Sequence, residues 1–303
     1  GVGGVTTKLA NDATMESTGC EFTISTTNIK TKDFKWTTDW IFGWAENTIT
    51  KLDSRSQVYS LVNGVGRTEG RPIGALYSIP FAGLTEEGLP TFFIDAEHTQ
   101  VVGPGNYAAI YFQEYENIDY LKYEGTIDPK ITGSFGNTFS WKGLKLNVFF
   151  TYSFGNVLRL DNLCPVYSSD YSDLTASMKE MKNRWMVPGD ENVTTIPSIP
   201  TVRQMREIDA LNNAYSAYNY STERVAKGDF IRLKELSLAY DLPKKYLEGQ
   251  NAVSNFGVKL SATNLWLAYA DKKLNGRDPE YYNTGGVSSP VPRQFTLTVK
   301  LGF

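Results

Sequence analysis

The chain has 303 residues, of which 21% are charged and 13% aromatic, and its net charge is −3. A balance this close to neutral offers no basic field for nucleic acid and no acidic tail for a disordered partner arm. No run approaches the roughly 18 apolar residues of a membrane helix. The opening GVGGVTTKLAND lacks the Met, the basic start and the apolar core of a secretory leader, so the sequence reads as having lost its N-terminus or as starting partway through a longer protein. Low average hydropathy does not exclude a transmembrane barrel, whose strands need apolar residues at only half their positions.

The first periodic stretch is CEFTISTTNIKTKDFKWTTDWIFGW. Cys20, Phe22 and Ile24 fall on one face of a strand, because successive side chains of a strand point to opposite faces. KTKD makes a polar turn. Phe34, Trp36, Thr38, Trp40, Phe42 and Trp44 then share a face, against Lys35, Thr37, Asp39, Ile41 and Gly43. A weaker pair of strands is expected within 72–97, where Pro72, Pro80 and Pro90 argue against long regular strands. In KITGSFGNTFSW, Ile131, Gly133, Phe135, Asn137, Phe139 and Trp141 alternate with Thr132, Ser134, Gly136, Thr138 and Ser140. Lys142-Gly143 suits a tight hairpin turn, which needs positive φ. LKLNVFFTYSF follows, with Leu144, Leu146, Val148, Phe150, Tyr152 and Phe154 on one face.

Two later strands change phase midway. In FIRLKELSLAYDL, Ile231 and Leu233 precede Leu236, Leu238 and Tyr240. In FGVKLSATNLWLAY, Phe256, Val258 and Leu260 precede Leu265, Leu267 and Tyr269. A bulge, or a strand end leaving the apolar layer, accounts for each shift. The last stretch, PRQFTLTVKLGF, places Phe295, Leu297, Val299, Leu301 and Phe303 on one face. The long segment between 161 and 228 contains a helix-like SDLTASMKEMKNRW, capped by Ser172 or Asp173, with Leu174, Met178 and Met181 on one side.

Strands are thus expected near 19–28, 34–50, 72–84, 90–97, 130–141, 144–160, 229–241, 256–269 and 293–303. Short connections alternate with long ones near 54–71, 98–127, 161–228 and 270–292. Two architectures alternate this way: a soluble sandwich, whose oily face meets a second sheet, and an outer-membrane barrel, whose oily face meets lipid. Three features favour the membrane. The polar faces are small and hydrated. Phe34, Trp36, Phe139, Trp141, Tyr240 and Phe303 collect beside the short turns, as a membrane girdle does. The runs are about 10 residues, and a tilted strand needs about 9–11 to cross the hydrocarbon. Parity agrees: if the last strand ends in the periplasm, every short connection is periplasmic. Nine strands do not close a single-chain bacterial barrel, and an open edge in lipid is costly, so the fold class expected is all-β, part of an antiparallel transmembrane β-barrel.

Several segments resemble a known family. EGRPIGALYSIPFAGL, DPKITGSFGNTFSWKGLKLNVFFTYSFGN, GDFIRLKELSLAYDLPKKYL and the ending LSATNLWLAY…DPEYYNTGG…PVPRQFTLTVKLGF are similar to the C-terminal third of SusC/RagA-type TonB-dependent outer-membrane transporters. MESTGCEFTI and FKWTTDWIFGWAENTITKL fit the same family just upstream. The resemblance implies a barrel of about 22 strands, of which residues 1–303 supply the last nine. It implies a plug domain and a TonB-contacting segment, both outside this chain, and a SusD-like surface lipoprotein over the outer loops. The expected partners are that lipoprotein, TonB through the missing parts, the rest of the barrel and plug, lipid or lipopolysaccharide, and the outer-membrane assembly machinery, which reads an aromatic last residue such as Phe303. The expected location is the bacterial outer membrane, and the expected role is import of oligosaccharides or oligopeptides.

Chemistry is sparse. Cys20 and Cys164 show neither metal spacing nor a disulfide framework and read as unpaired thiols. His98, beside Glu97, is the single histidine, and no G-x-S-x-G accompanies it. GVGG at the start has no preceding strand and no G-K-[ST], so it is no phosphate loop. Nothing orders the carboxylates into a glycosidase pair. No enzyme activity, metal or cofactor is expected. The candidate substrate-binding residues are loop aromatics, Trp185, Tyr167, Tyr171, Tyr218, Tyr281 and Tyr282, together with Tyr215 and Tyr220. Rings on loops of a rigid scaffold can stack on sugars or grip peptide side chains, or else pack within the loops. Asp278 and Glu280 of DPEYY are read as shaping a loop or touching the lipoprotein. A soluble carbohydrate-binding sandwich and an outer-membrane enzyme barrel are the contending classes.

Overall fold

A computed structural model describes residues 12–163, 179–247, 253–282 and 292–302. In chain order, β1 is Ala13–Lys30 and β2 is Phe34–Leu52. The following connection holds α1 (Val58–Val62), β3 (Ala75–Ser78), β4 (Phe81–Leu84), β5 (Pro90–Phe93), β6 (Val101–Val102) and β7 (Lys122–Thr126). Next come β8 (Ile131–Trp141), β9 (Leu144–Phe154) and β10 (Val157–Arg159). The second connection adds α2 (Val202–Glu207), α3 (Leu211–Asn219) and β11 (Val225–Lys227). The chain closes with β12 (Phe230–Asp241), β13 (Asn255–Ala270) and β14 (Gln294–Gly302). No described helix is long and apolar enough to cross a membrane, which leaves crossing by strands open.

The molecule divides into two compact units. The first unit is a sheet of seven strands in the order β1-β2-β8-β9-β12-β13-β14. Its ladders are antiparallel, with Phe34 opposite Trp141, Ile131 opposite Phe154, Tyr240 opposite Leu144 and Leu260 opposite Leu297. The connections at 31–33, 142–143 and 242–254 join strands at one end of this sheet. Those at 53–130, 155–229 and 271–293 leave from the other end. In the tightest turn Lys142 and Gly143 have φ of 45° and 89°, the positive pair that a two-residue hairpin turn requires.

Both expected phase shifts are bulges. Between Glu235 and Leu233 the register on β9 advances only from Phe149 to Phe150, so Lys234 is an extra residue in β12. On β13 one extra residue falls between Thr263 and Trp266, where Asn264 has φ 53°, and another between Leu267 and Tyr269. The bulges move the apolar face of β13 to Trp266 and Tyr269. Leu267, expected on that face, lies opposite Arg232 on the other one.

The expected strand pair within 72–97 does not enter this sheet, which has seven strands in place of the nine expected. β3 pairs with β7, and β4, β5 and β6 form a separate three-stranded sheet. Pro80 and Pro90 bound strands of four residues, too short to cross a bilayer. Zero crossings are as even as two, so the short connections still share one end of the sheet.

These short elements belong to the second unit, built from the long connections around a hydrophobic core of its own. Val58, Leu61, Ile79, Leu89, Phe92, Tyr107, Leu211, Ala214, Tyr215 and Tyr218 are all buried in it. Arg159 threads this unit: its guanidinium donates to the carbonyls of Ser221 (2.9 Å), Val62 (3.2 Å) and Tyr77 (2.5 Å). Burial lowers its pKa to about 10, against the pull of Glu124 and Tyr220, so it stays charged at neutral pH. Arg224, buried in the same unit, pairs with Glu180 at 2.5 Å and donates to the Asp161 carbonyl. Of the helix-like SDLTASMKEMKNRW, Lys179–Asn183 is a 3₁₀ turn with Met181 in the core, and Leu174 and Met178 lie outside the described residues.

Gly133 tests the sheet geometry. A Cβ there would lie 2.2 Å from the Ile41 carbonyl oxygen and 2.4 Å from the Tyr152 hydroxyl, because the Tyr152 ring covers the glycine. One at Gly43, on the neighbouring strand, meets nothing closer than 3.6 Å. Gly133→Ala is expected to cost about 1–3 kcal/mol by overpacking and Gly43→Ala much less, measured as the urea midpoint of the detergent-solubilised protein.

Candidate functional site

The ladder fixes which side chains share a face, because directly opposed residues of an antiparallel pair point the same way. Beside the short turns, one row across the sheet reads Phe34, Trp141, Leu144, Tyr240, Val258, Val299. The next reads Trp36, Phe139, Leu146, Leu238, Leu260, Leu297. Further along come Trp40, Phe135, Phe150, Leu233 and Trp266, then Phe42, Tyr152, Ile231 and Tyr269. On β1, Phe22 stacks on Phe42 at 4.9 Å and meets Trp40 edge-on at 5.1 Å, so it joins this face. No second sheet covers it among the described residues. Leu238, Leu260 and Leu297 of a single row are 44%, 53% and 67% exposed. A face this apolar and this open is not stable against water, and soluble monomers rarely carry one.

Its aromatic residues form two bands. Phe34, Trp36, Phe139, Trp141 and Tyr240 lie beside the short turns. Trp40, Trp44, Phe154, Trp266 and Tyr269 lie toward the long connections. From the Phe34 row to the Phe42 row is eight residues, or about 26 Å along a strand at roughly 3.3 Å per residue; at the roughly 40° tilt of barrel strands this covers about 20 Å of the roughly 25 Å apolar band. The polar atoms on this face satisfy one another. Trp36 and Thr38 both donate to the Asn137 side-chain oxygen (2.9 and 2.8 Å), and Trp40 donates to the Tyr152 hydroxyl, which donates to the Ile41 carbonyl. Polar groups paired in this way can face hydrocarbon.

The opposite face carries Lys35, Ser140, Lys145, Ala239, Lys259 and Thr298 in one row and Thr37, Thr138, Asn147, Ser237, Ser261 and Thr296 in the next. Thr138 donates to Asn147 at 3.2 Å, and Lys259 lies 3.3 Å from Glu235. A niche of about 440 Å³ opens over Asn147, Glu235, Ser237, Asp241 and Lys259. Toward the long connections, Arg232 is 5% exposed and pairs with Asp278 (2.5 Å) and Glu280 (3.2 Å). DPEYY is therefore a loop anchor: its two carboxylates neutralise a buried cation of β12.

The sequence-derived candidates are scattered. Trp36 stacks on Phe139 at 5.6 Å in the aromatic band beside the short turns, and Trp141 and Tyr240 are exposed on the apolar face; Phe303 lies outside the described residues. Tyr218 is 1% exposed and edge-on to Phe81, so its role in this structure is packing, as is that of Tyr215. Trp185 is half-buried over Gly88 and donates to Glu191 at 3.0 Å. Tyr281 and Tyr282 are half-buried beside the Arg232 anchor, with the Arg277 guanidinium 5.6 Å from the Tyr282 ring. Tyr167, Tyr171 and Cys164 lie outside the described residues, and Cys20 is a free, exposed thiol. His98 stacks on Phe93 at 4.8 Å in the turn that Asp95 closes. Among the described residues no cluster of three metal-ligating side chains occurs.

The first connection adds exposed rings that strand alternation does not mark. Tyr59, Tyr111 and Tyr115 stand out from the second unit, and the Tyr59 N–H to Phe112 carbonyl bond (2.9 Å) joins their segments. The aromatic run YFQEYENIDY was the available signal.

No family model matches the chain. It is 28% identical over 99% of its length to TonB-dependent receptor P3 of Formosa agariphila, and 27% identical over 99% to TonB-dependent receptor P26 of the same organism. It spans 30% of the length of each of these relatives. Among solved structures it is similar to the RagAB peptide transporter (TM-score 0.69, 23% identity, 96% of this chain and 29% of that one). It is likewise similar to the RagAB peptide importer in the closed-closed state (TM-score 0.69, 25% identity, 97% and 30%). Fold, faces and likeness together place the chain beside the TonB-dependent receptors of the bacterial outer membrane. Its likeness runs over nearly all of its own length, to relatives and to RagAB structures more than three times as long.

Two outcomes follow from these faces. Arg placed at Val148, in the row between the two aromatic bands, is expected to cost about 2–4 kcal/mol, the penalty for a lipid-facing Arg near the midplane; at Phe150 or Leu297, in rows that carry band aromatics, it costs less, but still more than at Thr151 or Thr298, and folding titrations into lipid vesicles measure all of them. The Glu191 carboxyl is held below its usual range, first by the Trp185 indole N–H and then by backbone N–H groups, against burial. A depressed carboxylate stabilises its fold above its ordinary pKa and loses that contribution as pH falls through the depressed value. The fluorescence difference between the protein and its Trp185→Phe variant is expected to hold steady at neutral pH and change on acidification below the carboxylate range.

Proposed function

We propose that this chain is the C-terminal part of the wall and outer connections of a TonB-dependent importer of oligopeptides or oligosaccharides. The observation that carries the reading is the apolar face, exposed across the sheet, banded by aromatics at both ends and backed by a polar face. A lipid-facing wall around a water-filled or plugged lumen needs both. In a barrel of about 22 strands, the seven strands would be the sixteenth to the last. The plug and the TonB-contacting segment would lie upstream. A SusD-like lipoprotein would sit over the long connections, as the RagAB assembly suggests by likeness. That assembly is named for peptides, which favours peptide cargo here. Trp185, Tyr281 and Tyr282, together with Tyr59, Tyr111 and Tyr115, are the rings offered to cargo or lipoprotein; Tyr167 and Tyr171 are added from the sequence alone. A soluble sandwich is disfavoured, because its oily face would lie against a second sheet.

The full-length protein, expressed with its cognate lipoprotein, is expected to import labelled oligopeptides or oligosaccharides in cells with TonB and to lose uptake when TonB is deleted. Uptake that persists without TonB, or a full-length protein that stays monodisperse without detergent, would contradict the reading.

A further inference from the structure

Arg159 leaves one donor over. Its two terminal nitrogens donate to the carbonyls of Ser221, Val62 and Tyr77, while its Nε–H is shielded from solvent and has no partner among the described residues. Glu124 leaves one acceptor over. It gives one carboxylate oxygen to Lys122 at 3.1 Å, its side chain is 10% exposed, and its Oε1 is buried and unpartnered.

The two orphans belong to one neighbourhood. Leu76 faces Gly125 and Tyr77 faces Tyr123, so Glu124 is the extra residue of a bulge in β7, set beside the Leu76–Tyr77 stretch of β3. The Tyr77 carbonyl is one that the Arg159 guanidinium binds. Glu124 is also first among the charges that act on Arg159. The two side chains still form no direct bond with each other. Two fully buried hydroxyls, those of Ser78 and Ser221, are unpartnered as well. They sit on the same two segments: Ser78 follows Tyr77, and the Ser221 carbonyl takes an Arg159 bond.

Buried polar atoms in folded proteins nearly always have a partner, from protein or from ordered water. An anion here would satisfy the Nε–H and be repelled by Glu124. A cation would satisfy Oε1 and be repelled by Arg159. Water accepts from the one and donates to the other, and a buried water makes about three such bonds. We infer that an ordered water bridges Arg159 Nε and Glu124 Oε1, which makes Glu124 the counter-ion of Arg159 at one remove. The guanidinium that ties α1, β3 and the Ser221 segment together is thus a hydrated charge in the second unit. The inference is independent of what covers the seven-stranded sheet.

The test is a crystal structure of the full-length protein at a resolution that shows ordered water. A peak within about 2.7–3.2 Å of both Arg159 Nε and Glu124 Oε1 is expected. It is expected to persist in Glu124→Gln, which keeps an oxygen there, and to be lost in Glu124→Leu, which has none. Crystals soaked in rubidium bromide are expected to show no anomalous peak at the site. A direct Arg159–Glu124 bond, no peak in the wild type, a peak that survives Glu124→Leu, or an anomalous peak from either ion would overturn the inference. If Glu124→Leu does not fold, the wild-type and Glu124→Gln maps decide it alone, and absence of the peak from either overturns it.

Discussion

A strand in hydrocarbon has no water to bond its backbone, so each N–H and C=O must find a partner in a neighbouring strand. The rest of this structure answers to that constraint. β2, β8, β9, β12 and β13 each have a ladder on both sides. The flanking strands β1 and β14 each have one, with no partner for the outer edge among the described residues. Unpaired groups in lipid cost several kcal/mol each, so such edges are tolerable only where further strands complete the wall. The likeness to transporters more than three times as long agrees with this.

Pairing of the backbone leaves the side chains to meet two solvents. One face turns Leu238, Leu260 and Leu297 outward with aromatic bands above and below; the other turns out Lys, Thr, Ser and Asn. Where a polar group does fall on the apolar face, as Asn137 and Thr38 do, a neighbour's donor satisfies it. The Arg232–Asp278–Glu280 cluster follows the same economy on the polar face, where a buried cation is neutralised by two carboxylates from the succeeding loop. The long connections fold as water-soluble protein folds, around Tyr107, Phe92 and Tyr218.

The wall was legible in the sequence because period-2 alternation is the direct imprint of a two-faced strand. Phe34 through Trp44 and Leu144 through Phe154 lie in the structure on the faces read for them. The phase breaks at Lys234 and Asn264 announced bulges, though which residue was extra, and hence that Leu267 belongs to the polar face, needed the register. The connections were less legible. Four-residue strands such as Ala75–Ser78 carry too few residues for a period, and sequence alone does not separate them from wall strands. The capping box of Thr201 and Gln204, which starts α2, was readable and passed over. Tyr218 looked like a ligand contact because a sequence does not show which side of a loop ring meets a core. The exposed rings Tyr59, Tyr111 and Tyr115 were overlooked for the same reason in reverse.

The central claim is that lipid, and not protein, covers the apolar face. Nitroxide labels placed one at a time from Leu144 to Tyr152 in the reconstituted full-length protein measure this directly, through relaxation by oxygen and by a water-soluble nickel chelate. Leu146, Val148 and Phe150 are predicted to be reached by oxygen and shielded from nickel, with Lys145, Asn147 and Thr151 out of phase. Labels at Leu146, Val148 and Phe150 that neither reagent reaches would mean a second protein layer, and would contradict the account.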